Sequence, residues 1–142
     1  MKHAPTDDDV RTLASFRYAL RTFQFWSEQA TRALGLTTQQ YQALLAIRGH
    51  DDVRPFTVKS LAQFLLIKHN SAVELVDRIV ELGFVERRHT DVDRRRVVIE
   101  ITPQGRQVLK HLVAVHRREL ARVAPEFLHY FRQFARDAAA NE

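Results

Sequence analysis

The stretch that most constrains this chain is "FVERRHTDVDRRRVVIEIT", residues 84–102. Two runs that read as strand, 84–88 and 97–101, the second rich in β-branched residues, flank a polar loop, which is the pattern of a β-hairpin. The loop and the strand end leading into it hold five arginines, Arg87, Arg88, Arg94, Arg95 and Arg96. Like charges gathered on one tight hairpin repel, so the cluster costs stability unless an anion offsets it. The chain has to present a short basic hairpin, and the hairpin calls for an anionic partner.

The segment before the hairpin gives it a context. Thr57 opens a short helix, "VKSLAQFLL", and after a brief interruption "NSAVELVDRIVELG" forms a second one that Gly83 ends. Ala72, Leu75, Val76 and Ile79 make that second helix amphipathic. Two short helices joined by a tight turn are a helix-turn-helix, and with a basic hairpin behind them they make a winged helix.

The flanks are helical. Thr6 with Asp7, Asp8 and Asp9 reads as a helix start, since a hydroxyl cap and early carboxylates satisfy the free amides and the helix dipole. Leu13, Phe16, Leu20, Phe23, Ala30 and Leu34 follow on an alternating three-four spacing, with Ser27 as the one polar entry. Gly35 ends this helix. "GLTTQQYQALLAI" starts the next with Thr37 or Thr38 as its cap and Tyr41, Leu44, Leu45 and Ile47 facing inward. After the wing, Thr102 caps a helix with Pro103 in its first position, where the missing amide costs nothing. A break at Ala124-Pro125 precedes a last helix marked by Phe127, Phe131, Phe134 and Ala138. Apolar seams at both chain ends need a surface to bury against, and a two-fold dimer interface suits them, with Leu13, Phe16, Leu20, Phe127, Phe131 and Phe134 at its centre.

The fold class that results is mainly α with a small β-hairpin wing (α+β). It has three regions in one intertwined unit: an N-terminal dimerisation helix (1–35), the winged helix-turn-helix (36–101) and C-terminal dimerisation helices (102–142). A net charge of +5 and a pI near 10.1 favour a nucleic acid or anionic surface as partner. The absence of cysteine removes disulfides, thiolate metal sites and thiol chemistry. No segment approaches the roughly 20 apolar residues of a membrane span, and the N-terminus lacks a signal-like apolar run. The chain reads as soluble and cytoplasmic, without a membrane partner.

Three matching stretches then carry a family resemblance: "GLTTQQYQALLAI", "LVDRIVELGFVERR" and "DRRRVVIEITPQG", in this order and at this spacing. Over nearly its whole length the chain resembles the MarR family of bacterial transcriptional regulators. The resemblance implies an obligate homodimer shaped like a triangle, with a winged helix at each lower corner. It also implies a roughly palindromic operator in double-stranded DNA, repression as the usual mode, and release by a small aromatic or anionic effector. By position in the family cleft, Phe23, Trp26, Tyr41, His50 and Arg54 are the candidate effector residues, with Arg54 placed to meet an anion. Each aromatic among them also fits an ordinary core position.

A recognition helix enters the major groove with its N-terminal residues toward the base edges. The candidates are Lys68, His69, Asn70, Ser71 and Glu74, with Arg78 one turn on for a phosphate. Asn70 pairs with adenine or caps the helix. Ser71 contacts a base or, with Glu74, forms a capping box. Lys68 and Glu74 depart from the small polar cap and the neutral or basic residue that the family often has there. On the wing, Arg94 and Arg95 suit the flanking minor groove, Arg87, Arg88 and Arg96 suit the backbone, and Asp93 orients an arginine. The family's "DPxDRR" stands here as "TDVDRR", without the first Asp and the Pro.

Other classes were weighed. No Gly-rich phosphate loop, HExxH or GxSxG is present, so the chain is not expected to be an enzyme or to need a cofactor. His111 and His116 are five apart, not the three or four that place two imidazoles over one metal, and His129 lies on the last helix. A metal-responsive regulator and a winged helix used only for protein contacts remain the alternatives.

Overall fold

The computed structural model describes residues 4–50, 53–89 and 97–141. The element order is α1 (Asp7–Arg32), α2 (Thr38–Gly49), α3 (Val58–Leu65), α4 (His69–Glu81), β1 (Val85–His89), β2 (Val97–Ile101) and α5 (Pro103–Ala140). The chain divides into two compact units, one of residues 31–113 and one of residues 1–30 with 114–142.

In the first unit, local chemistry sets each boundary. The Thr37 hydroxyl accepts from the Gln40 amide, and the Gln40 side chain accepts from the Thr37 amide, a reciprocal box that starts α2. Thr57 and Ser60 build the same device at α3. α3 ends at Leu66, whose backbone is left-handed at φ 56°, and α4 begins after Lys68. Gly83, at φ 80°, closes α4: its amide donates to the Val80 carbonyl, and that of Phe84 donates to Ile79. The chain leaves this turn directly into β1.

The hairpin is antiparallel, with Val85 opposite Ile101 and His89 opposite Val97. Val85, Val98, Ile99 and Ile101 are buried, whereas 86–89 are exposed, so β2 is the strand that anchors the wing to the core. The Ile99 amide donates to the Phe56 carbonyl at 2.8 Å, tying the α2–α3 connection to the free edge of β2. Thr102 then does two jobs. Its hydroxyl donates to the Gly83 carbonyl at 2.6 Å and accepts from the Gly105 amide at 3.1 Å, so the end of α4 and the start of α5 share one side chain. Gly105 has to be glycine here, because a Cβ would stand 2.1 Å from the Phe84 carbonyl oxygen. Leu36, Leu44, Leu61, Val76, Ile79, Ile99 and Leu112 fill the core; each such fully buried side chain contributes about 1.5–3 kcal/mol.

In the second unit, residues 7–30 and 114–140 are helical. Phe16 sits edge-on to Phe127, Tyr130, Phe131 and Phe134, with ring centroids 5.5–6.3 Å away. Thr6 caps α1 together with Asp9, whose carboxylate accepts from the Thr6 amide at 2.7 Å.

One expectation is corrected. The break at Ala124-Pro125 does not occur: α5 is continuous for 38 residues with Pro125 inside it. An internal proline removes one helix hydrogen bond and crowds the preceding turn, at a cost of about 3 kcal/mol. The four aromatic rings clustered on Phe16 lie just beyond Pro125, and their packing as one helical stripe offsets that cost.

Candidate nucleic-acid interface

The candidate surface is the outer face of α4 with the hairpin behind it. Ala72, Leu75, Val76 and Ile79 are buried, as the helical period requires, and this leaves Lys68, His69, Asn70, Ser71, Glu74 and Arg78 exposed on the other side. The N-cap is Lys68, extended at φ −67° and ψ 151°, and no side chain caps the helix. Asn70 and Ser71 therefore stand inside the first turn. Neither caps the helix, and the Ser71–Glu74 capping box is not formed. Their polar groups, with His69, point out from a helix end whose amides also lack a side-chain partner.

A polar groove of about 380 Å³ runs beside this face, lined by Thr37, Gln39 and Gln40 of the α2 start and by Ser71, Glu74 and Arg78. Glu74 and Arg78 take part in none of the ion pairs found among the described residues. Arg78 could have paired with Asp77, but Asp77 is held by Arg87 of β1. Gln39 and Gln40 were not singled out by motif. Their place beside α4 follows from the packing of α2 and not from any local pattern.

The wing arginines divide. Arg87 pairs with Asp77, and this contact fastens β1 to α4. Arg88 stands 3.4 Å from Glu100 on the opposite strand and 3.8 Å from Glu86, with 62% of its side chain exposed. These carboxylates neutralise part of the charge that the strands bring. Asp93, Arg94, Arg95 and Arg96 lie outside the described residues.

The candidate effector residues are divided between the two units. Tyr41 is buried in the winged-helix core, and burial raises its phenol pKa. His50 and Arg54 line a cleft of the same unit. Phe23 and Trp26 belong to the other unit, where they stack on each other at 6.0 Å and meet His116 edge-on. There the Ser27 hydroxyl and His116 Nε2 are 2.7 Å apart and buried, which explains the one polar entry in the α1 seam. Of the other histidines weighed as metal ligands, His111 and His129 are exposed. Among the described residues no group of three His, Asp or Glu could hold a metal ion, and no helix is long and apolar enough to cross a membrane. Leu13 and Phe131 at the expected dimer seam are about half exposed, at 53% and 52%, whereas Phe16, Leu20, Phe127 and Phe134 are half-buried.

Residues 34–96 match the model of the MarR family. A curated relative, an uncharacterised helix-turn-helix-type transcriptional regulator YfiV of Bacillus subtilis, is 27% identical over 79 residues; the match spans 56% of this chain and 48% of that protein. The fold is shared by a MarR family protein from Bacillus stearothermophilus (TM-score 0.72, 21% identity, 97% of this chain and 98% of that one). It is also shared by AbsC, a MarR family transcriptional regulator of Streptomyces coelicolor (0.75, 18%, 99% and 97%). A MepR mutant of S. aureus bound to an oligodeoxyribonucleotide has it too (0.68, 15%, 91% and 96%).

Proposed function

We propose that this chain, which belongs to the MarR family, works as a dimeric, sequence-specific repressor of transcription. It binds a palindromic operator in double-stranded DNA and is released by a small effector. The observation that carries the reading is the exposed polar face of α4, with an uncapped first turn, beside the Arg-rich hairpin. A face with Lys68, His69, Asn70 and Ser71 at its leading end has the donors and acceptors that a major groove displays. An arginine tip on the wing has the charge that a narrow minor groove attracts. A protein of the same fold, the MepR mutant, is bound to an oligodeoxyribonucleotide, which supports DNA as the partner.

The dimer is supported by apolar surface in the unit built from the chain ends. Val10, Leu13, Tyr18, Phe25, Leu120, Leu128 and Phe131 are all exposed there, apolar side chains that a second copy could cover. A second copy would cover them and set two α4 helices one helical turn of DNA apart. Repression, effector release and a cytoplasmic setting complete the reading by analogy with the family.

The test is retention of genomic DNA fragments on the purified protein at near-physiological salt, followed by sequencing. Enrichment of a palindrome with half-sites about one helical turn, or 10 base pairs, apart is the expected result. Retention without any common sequence would contradict it.

A further inference from the structure

Helix α4 carries a carboxylate on the face that would meet DNA. The side of the helix turned furthest from the buried stripe of Ala72, Leu75, Val76 and Ile79 holds Asn70 and, four residues on, Glu74, both exposed. Residues four apart stand one above the other on a helix face, so Glu74 continues the outward line that Asn70 begins. Glu74 also lines the polar groove beside α4, together with Gln39 of α2 and with Arg78. Arg78 lies four residues further on, a spacing at which glutamate and arginine readily pair. The two are not paired, and Glu74 makes no ion pair among the described residues. The other carboxylate of this stretch differs: Asp77 is held by Arg87 of β1 and ties the hairpin to the helix. Asp77 thus has a structural task within the fold, and Glu74 is left to face outward.

We propose that Glu74 is a specificity-determining residue, which accepts a hydrogen bond from the amino group of a cytosine in the major groove. The proposal rests on the DNA-binding reading given above and names what one position of that face reads. A carboxylate offers acceptors only. In the major groove guanine presents acceptors, thymine presents an acceptor and a methyl group, and adenine sets an acceptor beside its amino group; cytosine presents an amino donor alone. Against phosphates and against base acceptors the carboxylate is repelled. Glu74 therefore acts as a filter, strengthening a site with cytosine and weakening the others, which is discrimination by penalty as much as by attraction. Four residues of helix rise about 6 Å and base pairs stack about 3.4 Å apart, so the base read by Glu74 lies about two base pairs from the one read by Asn70.

Selection from a pool of double-stranded DNA of random sequence, followed by sequencing, tests it with the full-length parent, Glu74→Gln and Glu74→Ala in parallel. The parent is expected to enrich a half-site with cytosine at one fixed position. Glu74→Gln should keep every other position and exchange that cytosine for adenine, whose amino group and N7 a glutamine side chain meets together. Glu74→Ala should keep the other positions and lose the preference at this one, so that discrimination between cytosine and the other bases there falls about tenfold. Glu74 is exposed, and both variants should melt as the parent does. Enrichment of the parent's sequence by both variants would overturn the assignment. A uniform loss of affinity over all sequences would also overturn it, since that is what a Glu74 that only holds Arg78 in place would give. A parent that enriches no common sequence would instead remove the DNA-reading function itself, and this assignment with it.

Discussion

Leu66 is the one non-glycine residue with a positive φ among the described residues, and its side chain is 92% exposed. A left-handed backbone costs a residue with a Cβ roughly 1–2 kcal/mol, and here no burial offsets it. Leu66→Gly is predicted to raise stability by about 1 kcal/mol, after the extra freedom of glycine in the unfolded chain is counted, and to raise the melting temperature by about 3–5 °C. A lower melting temperature would mean that the leucine makes contacts the folded chain depends on. At this scale, what could be read ahead of the structure depended on how far apart the partners lie in sequence. Thr57 and Thr102 announce themselves as caps because their partners are three residues on, and at α2 the structure picks Thr37 from the pair Thr37 and Thr38. Ser27 gave no sign of its role, since His116 is 89 positions away. Asn70 and Ser71 stayed ambiguous for a different reason: cap and base contact ask for the same side chains, and only the start of α4 at His69 separates them.

Among the elements, α1 depends on acid-sensitive support at its start. Hydrogen bonds from Thr6, the backbone amide first and then the hydroxyl, hold the Asp9 carboxyl below its ordinary pKa. A lowered folded pKa contributes stability at neutral pH that is lost as the pH falls through that lowered value. Amide exchange in the first turn should therefore be faster in Asp9→Asn than in the parent at neutral pH, and the two should converge in acid once the parent's carboxylate is protonated. A difference that persists in acid would contradict this account. Helix α5 shows where local rules fail. Proline is a reliable local breaker, but the rings of Phe127, Tyr130, Phe131 and Phe134 assemble on Phe16 of a distant segment, and no window around Pro125 contains that gain. On the wing, the strands were legible to within one residue from their β-branched runs. That Arg87 is occupied by Asp77 was not, because the pair forms across two elements. Arg94→Ala with Arg95→Ala is predicted to weaken operator binding at least tenfold, measured by gel shift, with the dimer unchanged by sedimentation. Full affinity in that variant would remove the wing from the interface.

For the molecule as a whole, the charge of +5 fits the proposed function, and its consequence there is a salt dependence. If each protomer neutralises several phosphates, log affinity should fall with log salt with a slope steeper than about −4, each phosphate contributing roughly −0.9. A slope near −1, measured by titration in increasing potassium chloride, would contradict a footprint made of wing and helix together.

Such a slope reports the phosphate contacts and not the reading of sequence, which the proposed function gives to α4. The most direct test of that claim compares Asn70→Ala with the parent on two duplexes, the fragment enriched by the protein and a scrambled one of equal length. The account predicts a loss of tenfold or more on the enriched duplex, corresponding to about 1–3 kcal/mol for one base contact, and none on the scrambled one. Equal losses on both duplexes, or no loss on either, would mean that the exposed face of α4 does not read DNA.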